Sequence, residues 1–192
     1  ETVREYQKSN NLTIKIITNE KKYQNFGFNL GVDMSKGEIV MRLDAHSTLN
    51  PEFLTRSIQF LNMNTEAMAI GCLIETKPQK KNSLIGKGIS IVMSSIFGVG
   101  GSKFRTISET DKDNFITVDT APFCCYRREV FSIIGKYNEN LLNSEDLEFH
   151  KRMDINNLKT FLNTGITNTF YILGGEVAWS TLLNISLPQW FF

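Results

Sequence analysis

Strand-like and helix-like segments alternate from residue 12 to residue 61, and this alternation constrains the fold more than any other feature. Residues 12–18 (LTIKIIT) are β-branched and alternating, which reads as a strand. Phe28, Val32 and Met34 then recur near helical spacing, ahead of a stop at Gly37. Residues 39–43 (IVMRL) read as a second strand. Pro51 suits the first turn of a helix that carries Phe53, Leu54, Ile58 and Leu61 on one stripe. The pattern predicts βαβ units, a parallel sheet and an α/β fold. Ligands of open α/β sheets bind outside the carboxyl ends of the strands. Asp44 and His46, directly after residues 39–43, stand at such an end.

Downstream, residues 67–76 (AMAIGCLIET) predict another strand and residues 84–97 a helix ending in glycines. Residues 102–114 are polar and aperiodic, a long loop of the kind that is often functional. Residues 115–131 predict a strand, a turn at Asp119-Thr120-Ala121-Pro122, a short strand and a helix start. Residues 143–153 (NSEDLEFHKRM) open a helix with acids in its first turn, where they suit the dipole. Residues 159–163 (KTFLN) predict a short strand.

A chain of 192 residues suffices for one α/β domain with a sizeable core. Its 21 Lys and Arg nearly balance 20 Asp and Glu, so there is no nucleic-acid footprint. The same balance argues against a strongly membrane-attracted surface and leaves room for a local basic patch. Cys72, Cys124 and Cys125 are odd in number and lack a CxxC, which predicts free thiols in a reducing compartment. Cys124 and Cys125 read as small core residues. With His46 and His150 the only histidines, a structural zinc site has little material. No apolar run of about 18 residues predicts a membrane-spanning helix, and no signal-peptide pattern occurs. An opening like a helix tail, without an initiator Met, predicts a piece of a longer protein.

Two residues apart in extended chain, Asp44 and His46 are expected on the same side. A carboxylate with an imidazole suits Mn²⁺, whereas Mg²⁺ favours oxygens and water. Two protein ligands suit a metal completed by substrate phosphates and water. A capped turn beside a solvated histidine is the alternative, and the stronger one for an isolated Asp-Ala-His.

The wider string shifts that balance. NFGFNLGVDMSKGEIVMRLDAHS (residues 25–47) resembles the family-2 inverting glycosyltransferases of the GT-A fold, and within them the succinoglycan-biosynthesis-like subgroup. The matching positions are Asn29-Leu30-Gly31, Lys36-Gly37-Glu38 and Met41-Arg42-Leu43-Asp44-Ala45-His46. Residues 99–105 (VGGSKFR) and 118–153 resemble two further blocks of that subgroup, in the same order.

The resemblance implies a GT-A-type three-layer sandwich around a mostly parallel, Rossmann-like sheet. Residues 1–170 would form the catalytic domain, without the family's N-terminal strands. Residues 171–192 would be a divergent, membrane-proximal tail. The implied reaction moves a sugar, with inversion, from a nucleotide-diphosphate sugar to a glycan or lipid-linked acceptor in surface polysaccharide biosynthesis. A UDP-sugar is the leading donor, and the location is cytoplasmic, at the inner face of the plasma membrane.

A divalent cation, Mn²⁺ or Mg²⁺, would be held by Asp44 and His46 as a variant DxD motif. Asn29, Arg42, Asp44, Lys103 and Arg105 would contact the nucleotide and diphosphate. The family's catalytic base falls at Asp146, with Glu145 orienting the acceptor beside Asp119 and Thr120. Each has a plainer reading: a cap or turn for Asn29, solvated loop cations for Lys103 and Arg105, an Asx turn for Asp119 and Thr120, and dipole-stabilised acids for Glu145 and Asp146. The strand with Pro-x-x-Asn-Glu is not in this sequence. An inactive copy serving as a glycan- or partner-binding module is therefore the first alternative, and a sugar nucleotidyltransferase the second.

Overall fold

The structure, a computed structural model, describes residues 5, 8, 14–80, 83–99, 101–110 and 114–172. Six strands form one mixed sheet: β1 (Ile39–Met41), β2 (Ser47–Thr48), β3 (Ala67–Pro78), β4 (Phe115–Val118), β5 (Cys125–Arg127) and β6 (Lys159–Ile172). Their order is β1-β5-β3-β6-β2, with β4 also paired to β6. The longest ladder, β3 with β6, is parallel, and the shorter pairings are antiparallel. The helices whose bounds lie within the described residues are α1 (Gln24–Met34), α2 (Phe53–Met63), α3 (Leu84–Met93), α4 (Ile96–Val99), α5 (Lys103–Thr106), α6 (Glu129–Ile134) and α7 (Glu145–Ile155).

β3 is buried along most of its length, as a central strand covered on both faces must be, and its near-continuous apolar run reflects this. One face meets α1, α6 and α7 through Val32, Leu73, Tyr126, Phe131 and Phe149. The other meets α2 through Phe53, Leu61, Ile70, Cys72 and Ile166. Helices on both faces of a sheet make the three-layer α/β sandwich that the sequence predicts. Cys72, Cys124 and Cys125 are free and buried, so Cys124 and Cys125 are core residues as expected.

Several elements differ from expectation. Residues 14–18 do not join the sheet, and Ile16 and Ile17 are exposed. Propensity alone makes no strand without a partner ladder, and none of the described strands pairs there. Residues 12 and 13 lie outside the described part. The second expected strand stops at Met41, two residues early. The helix expected at 84–97 breaks at Ser94-Ser95 into α3 and α4. The polar stretch after it contains α5.

The short strand expected at 159–163 runs instead from Lys159 to Ile172, two residues past the expected domain end at 170. Its Thr and Asn residues hide it from pattern reading. Several of their polar groups find partners within and beyond the strand: Asn163 Oδ1 accepts from Gly165 N, Thr164 N donates to Asn114 O, and Asn168 Oδ1 accepts from Asn50 N, while Asn168 Nδ2 is buried with no partner among the described residues. A register shift at Cys72/Leu73, where the pairing moves from Asn163 to Thr167, accommodates the bulged residues. Among the described residues, no helix is long and apolar enough to cross a membrane.

α7 anchors its first turn through a buried histidine. His150 Nδ1 lies 2.9 Å from Asp146 O. A carbonyl only accepts, so Nδ1 carries the proton and Nε2 presents its lone pair to Tyr126 Oη at 3.4 Å and Cys124 Sγ at 3.6 Å. Burial pushes the imidazole below its ordinary 6.5, against the opposing pull of the Asp146 carbonyl and the Asp146 and Asp119 charges.

Two outcomes follow from this packing. Phe149, fully buried among Tyr126, Phe131 and Tyr137, should cost about 3–5 kcal/mol when cut to Ala, read from the urea midpoint at constant slope. For His150 the unfolded chain binds the extra proton, so stability should fall as pH drops below 6.5. Urea titrations at a series of pH values should show that slope, and His150→Gln should flatten it.

Candidate active site

A cavity of about 300 Å³ opens where the turn after β1, α5, the β4–β5 turn, β6 and the start of α7 converge. Asp44, His46, Arg105 and Asp146 all line it, together with Arg42. These residues come from three separate stretches of chain, residues 42–46, α5 and the start of α7, so the fold as well as local spacing assembles them.

The turn after β1 is shaped by its own hydrogen bonds. Asp44 O accepts from Ser47 N at 3.2 Å and from Ser47 Oγ at 2.5 Å, closing Ala45-His46 into a tight turn. β2 follows and pairs with Thr169 and Phe170. Asp44 and His46 thus reach the cavity through a turn and not through strand alternation. Tyr171 N donates to His46 O at 2.8 Å, and the imidazole packs edge-on to Phe170 at 4.5 Å.

Arg42 is the hub. Its Nε lies 2.9 Å from Asp44 Oδ1, and its Nη1 lies 3.2 Å from Glu145 Oε1. Burial works against its charge. The hydrogen bond to Asp44, then the charges of Tyr137, Asp44 and Asp146, outweigh burial and hold the guanidinium above its ordinary range. Glu145 is buried and also accepts from Gln24 Nε2 at 3.0 Å, so its carboxylate is occupied by these two donors.

Asp146, one residue on, differs. Its Oδ1 accepts from Leu147 N, and no cation pairs with it among the described residues. It is exposed to the cavity at the N-terminus of α7, after Ser144 in a left-handed conformation (φ 59). Phe123 on the opposite wall is also left-handed (φ 49). Non-glycine residues in this region carry strain that the surrounding fold must hold, and such residues cluster at functional sites.

Arg105 enters from α5 and is desolvated, which pushes its guanidinium down to about 10. It donates to Thr76 Oγ1 and lies over the rings of Phe104 at 5.5 Å and Phe170 at 5.9 Å. No carboxylate pairs with it among the described residues. A desolvated cation without a counter-ion is a receptor for an anion.

The other expected site residues lie elsewhere. Asn29 is buried, and its amide spans Tyr137 N, Tyr137 O and Glu139 Oε1, clamping α1 to the loop before α7. Lys103 is exposed and does not line the cavity. Asp119 accepts from Thr120 N and borders a separate pocket of about 150 Å³, and Thr120 lines neither. The chain enters the cavity just afterwards, at Ala121 to Cys124. Gly100 lies outside the described residues.

Sequence reading missed Gln24, Phe104, Phe123, Tyr137 and Phe170. Tyr137 sits inside the matching stretch of residues 118–153 and is within reach of sequence reasoning, whereas Gln24 and Phe123 carry no local signal. A larger cavity of about 440 Å³ lies between α1 and the open edge of β1, and Arg42 is the charged residue that lines it. It lacks the acids that the smaller one gathers.

Among the described residues, no group of three or more His, Cys, Asp or Glu side chains is arranged to hold a metal. Asp44 and His46 are a two-donor set, which fits a divalent ion only when further ligands arrive with it.

Residues 1–135 match the sequence model described as glycosyl transferase family 2. A dolichyl N-acetyl-alpha-D-glucosaminyl phosphate 3-beta-D-2,3-diacetamido-2,3-dideoxy-beta-D-glucuronosyltransferase of Methanococcus voltae is 24% identical over 177 residues, which cover 89% of this chain and 52% of that protein. The crystal structure of S. aureus TarS 1-349 superposes with a TM-score of 0.57 at 15% identity, covering 96% of this chain and 50% of that one. TarS 1-349 in complex with UDP superposes at 0.55 and 13% identity, with the same coverage. These superpositions bear on the fold alone, and they agree with the expected GT-A-type α/β architecture. The chain spans about half the length of these relatives. Since the family match covers residues 1–135 of 192, the chain belongs to glycosyl transferase family 2.

Proposed function

We propose that the chain is the catalytic part of a glycosyltransferase that moves a sugar, with inversion, from a UDP-sugar to a glycan or lipid-linked acceptor. The observation that carries this reading is the division of charge around one cavity. Among the described residues, a desolvated Arg105 has no carboxylate partner, Asp44 and His46 form a donor pair, and Asp146 has no cation partner. The resemblance of residues 25–47 to the succinoglycan-like subgroup supports surface polysaccharide assembly as the setting. The UDP complex of TarS supports the donor, and the dolichyl-linked substrate named for the Methanococcus relative supports a lipid-linked acceptor. In this reading the chain works at the cytoplasmic face of a membrane, where such an acceptor would be met. Residues 1–170 constitute the catalytic domain in this reading.

Inversion is a single displacement. The acceptor hydroxyl oxygen bonds to the anomeric carbon while the bond from that carbon to the diphosphate oxygen breaks. Asp146 takes the hydroxyl proton, and the nucleoside diphosphate leaves with the electron pair. Its developing negative charge falls to Arg105, which is positioned and desolvated before the substrate arrives. A divalent ion, Mn²⁺ or Mg²⁺, held by Asp44 and His46 would add Lewis-acid stabilisation there. Arg42 keeps Asp44 in place and neutralises Glu145, so Asp146 is the free base of the acidic pair. Asn29, Lys103, Asp119 and Thr120 have no part in this scheme.

Asp146→Asn should lower transfer by about 10²–10⁴-fold and leave UDP affinity unchanged, as measured by product formation and calorimetry. Arg105→Gln should weaken UDP binding roughly ten- to a hundredfold, and Asp44→Ala should abolish its dependence on Mn²⁺. Absence of UDP and GDP binding with any divalent ion would overturn the reading. Nucleotide binding without transfer, unmoved by Asp146→Asn, would point to the inactive-module alternative.

A further inference from the structure

We propose that the exposed side of α3 and α4 docks on the surface of an anionic lipid bilayer. The proposal rests on an unusual helix. Gly86 and Ile89 of α3 are buried, and Ile89 and Met93 pack with Phe170 and Ile172 of β6. Leu84, Ile91 and Val92 recur at spacings of seven and eight, which places them on the opposite side of the same helix. They face solvent, with Leu84 82% and Ile91 71% exposed. α4 extends the apolar surface with Ile96 and with Phe97, which is 99% exposed. Apart from Lys87 and Ser90, α3 carries apolar residues on both sides, and an apolar face is ordinarily buried in protein or set against an apolar phase. Here one side is covered by β6, and among the described residues nothing covers the other.

Charge identifies the phase. Six of the chain's 21 Lys and Arg, and none of its 20 Asp and Glu, lie between residues 76 and 107, although the whole chain carries only +1. Lys77 is paired with Glu75, and Arg105 turns into the cavity. Lys80, Lys87 and Lys103 are exposed and have no carboxylate partner among the described residues. Lysines flanking aliphatic residues with a projecting phenylalanine are what an interfacial helix requires: apolar groups enter the acyl boundary while the ammonium groups meet anionic headgroups. The lysine stems can lie along the apolar surface with their charges in the headgroup layer.

The surface is adjacent to the site. α5 follows α4 closely, and its Phe104 and Arg105 line the cavity of about 300 Å³. Docking through α3 and α4 therefore sets the cavity beside the bilayer, where a lipid-borne acceptor would be delivered. That last step rests on the transferase reading; the docking itself does not.

Flotation of the full chain with phosphatidylcholine vesicles, and with vesicles enriched in phosphatidylglycerol, tests it. Recovery should be about tenfold higher on the anionic vesicles and should fall at high salt. Ile91→Asp with Phe97→Asp should lose the binding, and Lys80→Glu with Lys87→Glu should reduce it about tenfold. Both pairs are exposed, so unchanged circular dichroism and urea midpoints are expected. Equal or absent recovery on the two vesicle types overturns the proposal, as does flotation unchanged by either pair. Sedimentation showing a vesicle-free dimer that Ile91→Asp and Phe97→Asp dissolve would also overturn it, because a second copy would then cover the surface. Loss of flotation with UDP binding intact separates this proposal from the transferase reading.

Discussion

The bridge from Arg42 to Asp44 and Glu145 is the interaction on which the site depends. One partly buried guanidinium joins the turn after β1 to the first turn of α7, two elements a hundred residues apart in sequence. Ion pairs of this kind add little net stability, because desolvation offsets much of the attraction. Their value is geometric, since removing one partner leaves a charge stranded. Arg42 therefore sets where the carboxyl end of β1 stands relative to α7, and with it the separation between Asp44 and Asp146.

The same bridge makes neighbouring acids unequal. Glu145 is buried and held by Gln24 and Arg42, while Asp146 reaches the cavity without a cation. A consecutive acidic pair at a helix start is ordinarily explained by the dipole. In this fold the pair is divided into a structural carboxylate and a free one. Behind it, His150 ties the Asp146 carbonyl towards Tyr126 and Cys124, so Asp146 stands on the packed core and not on a free helix end. Across the cavity, no carboxylate pairs with Arg105 among the described residues, and a desolvated cation in that state favours an anion.

Much of this was legible beforehand. The alternation of polarity predicted an α/β fold with a parallel sheet and the resemblance a three-layer sandwich; the covered faces of β3 agree with the layers, whereas residues 14–18 stay out of the sheet and β1 pairs antiparallel with β5. Asp44, His46, Arg105 and Asp146 were candidates from residue type and motif, and they share one cavity. Other positions were misread for identifiable reasons. Asn29 is indistinguishable in sequence from a ligand-binding amide, yet its hydrogen bonds are taken by Tyr137 and Glu139. β6 was cut short because its buried Thr and Asn residues look like loop, and only the β3 ladder and its bulge make them strand. Residues 14–18 have strand propensity without a partner.

By itself the sequence determined the class of fold, the residue types able to do the chemistry and the family, since periodicity and motifs are local properties. The tertiary structure decided which of those residues meet. Proximity between Arg42 and Glu145, the pairing that leaves Asp146 free, and the desolvation of Arg105 arise from long-range packing that no window of sequence contains. The exposed side of α3 is of the same kind: the sequence predicts only a helix there, and the docking of Ile89 and Met93 on β6 shows which side meets solvent.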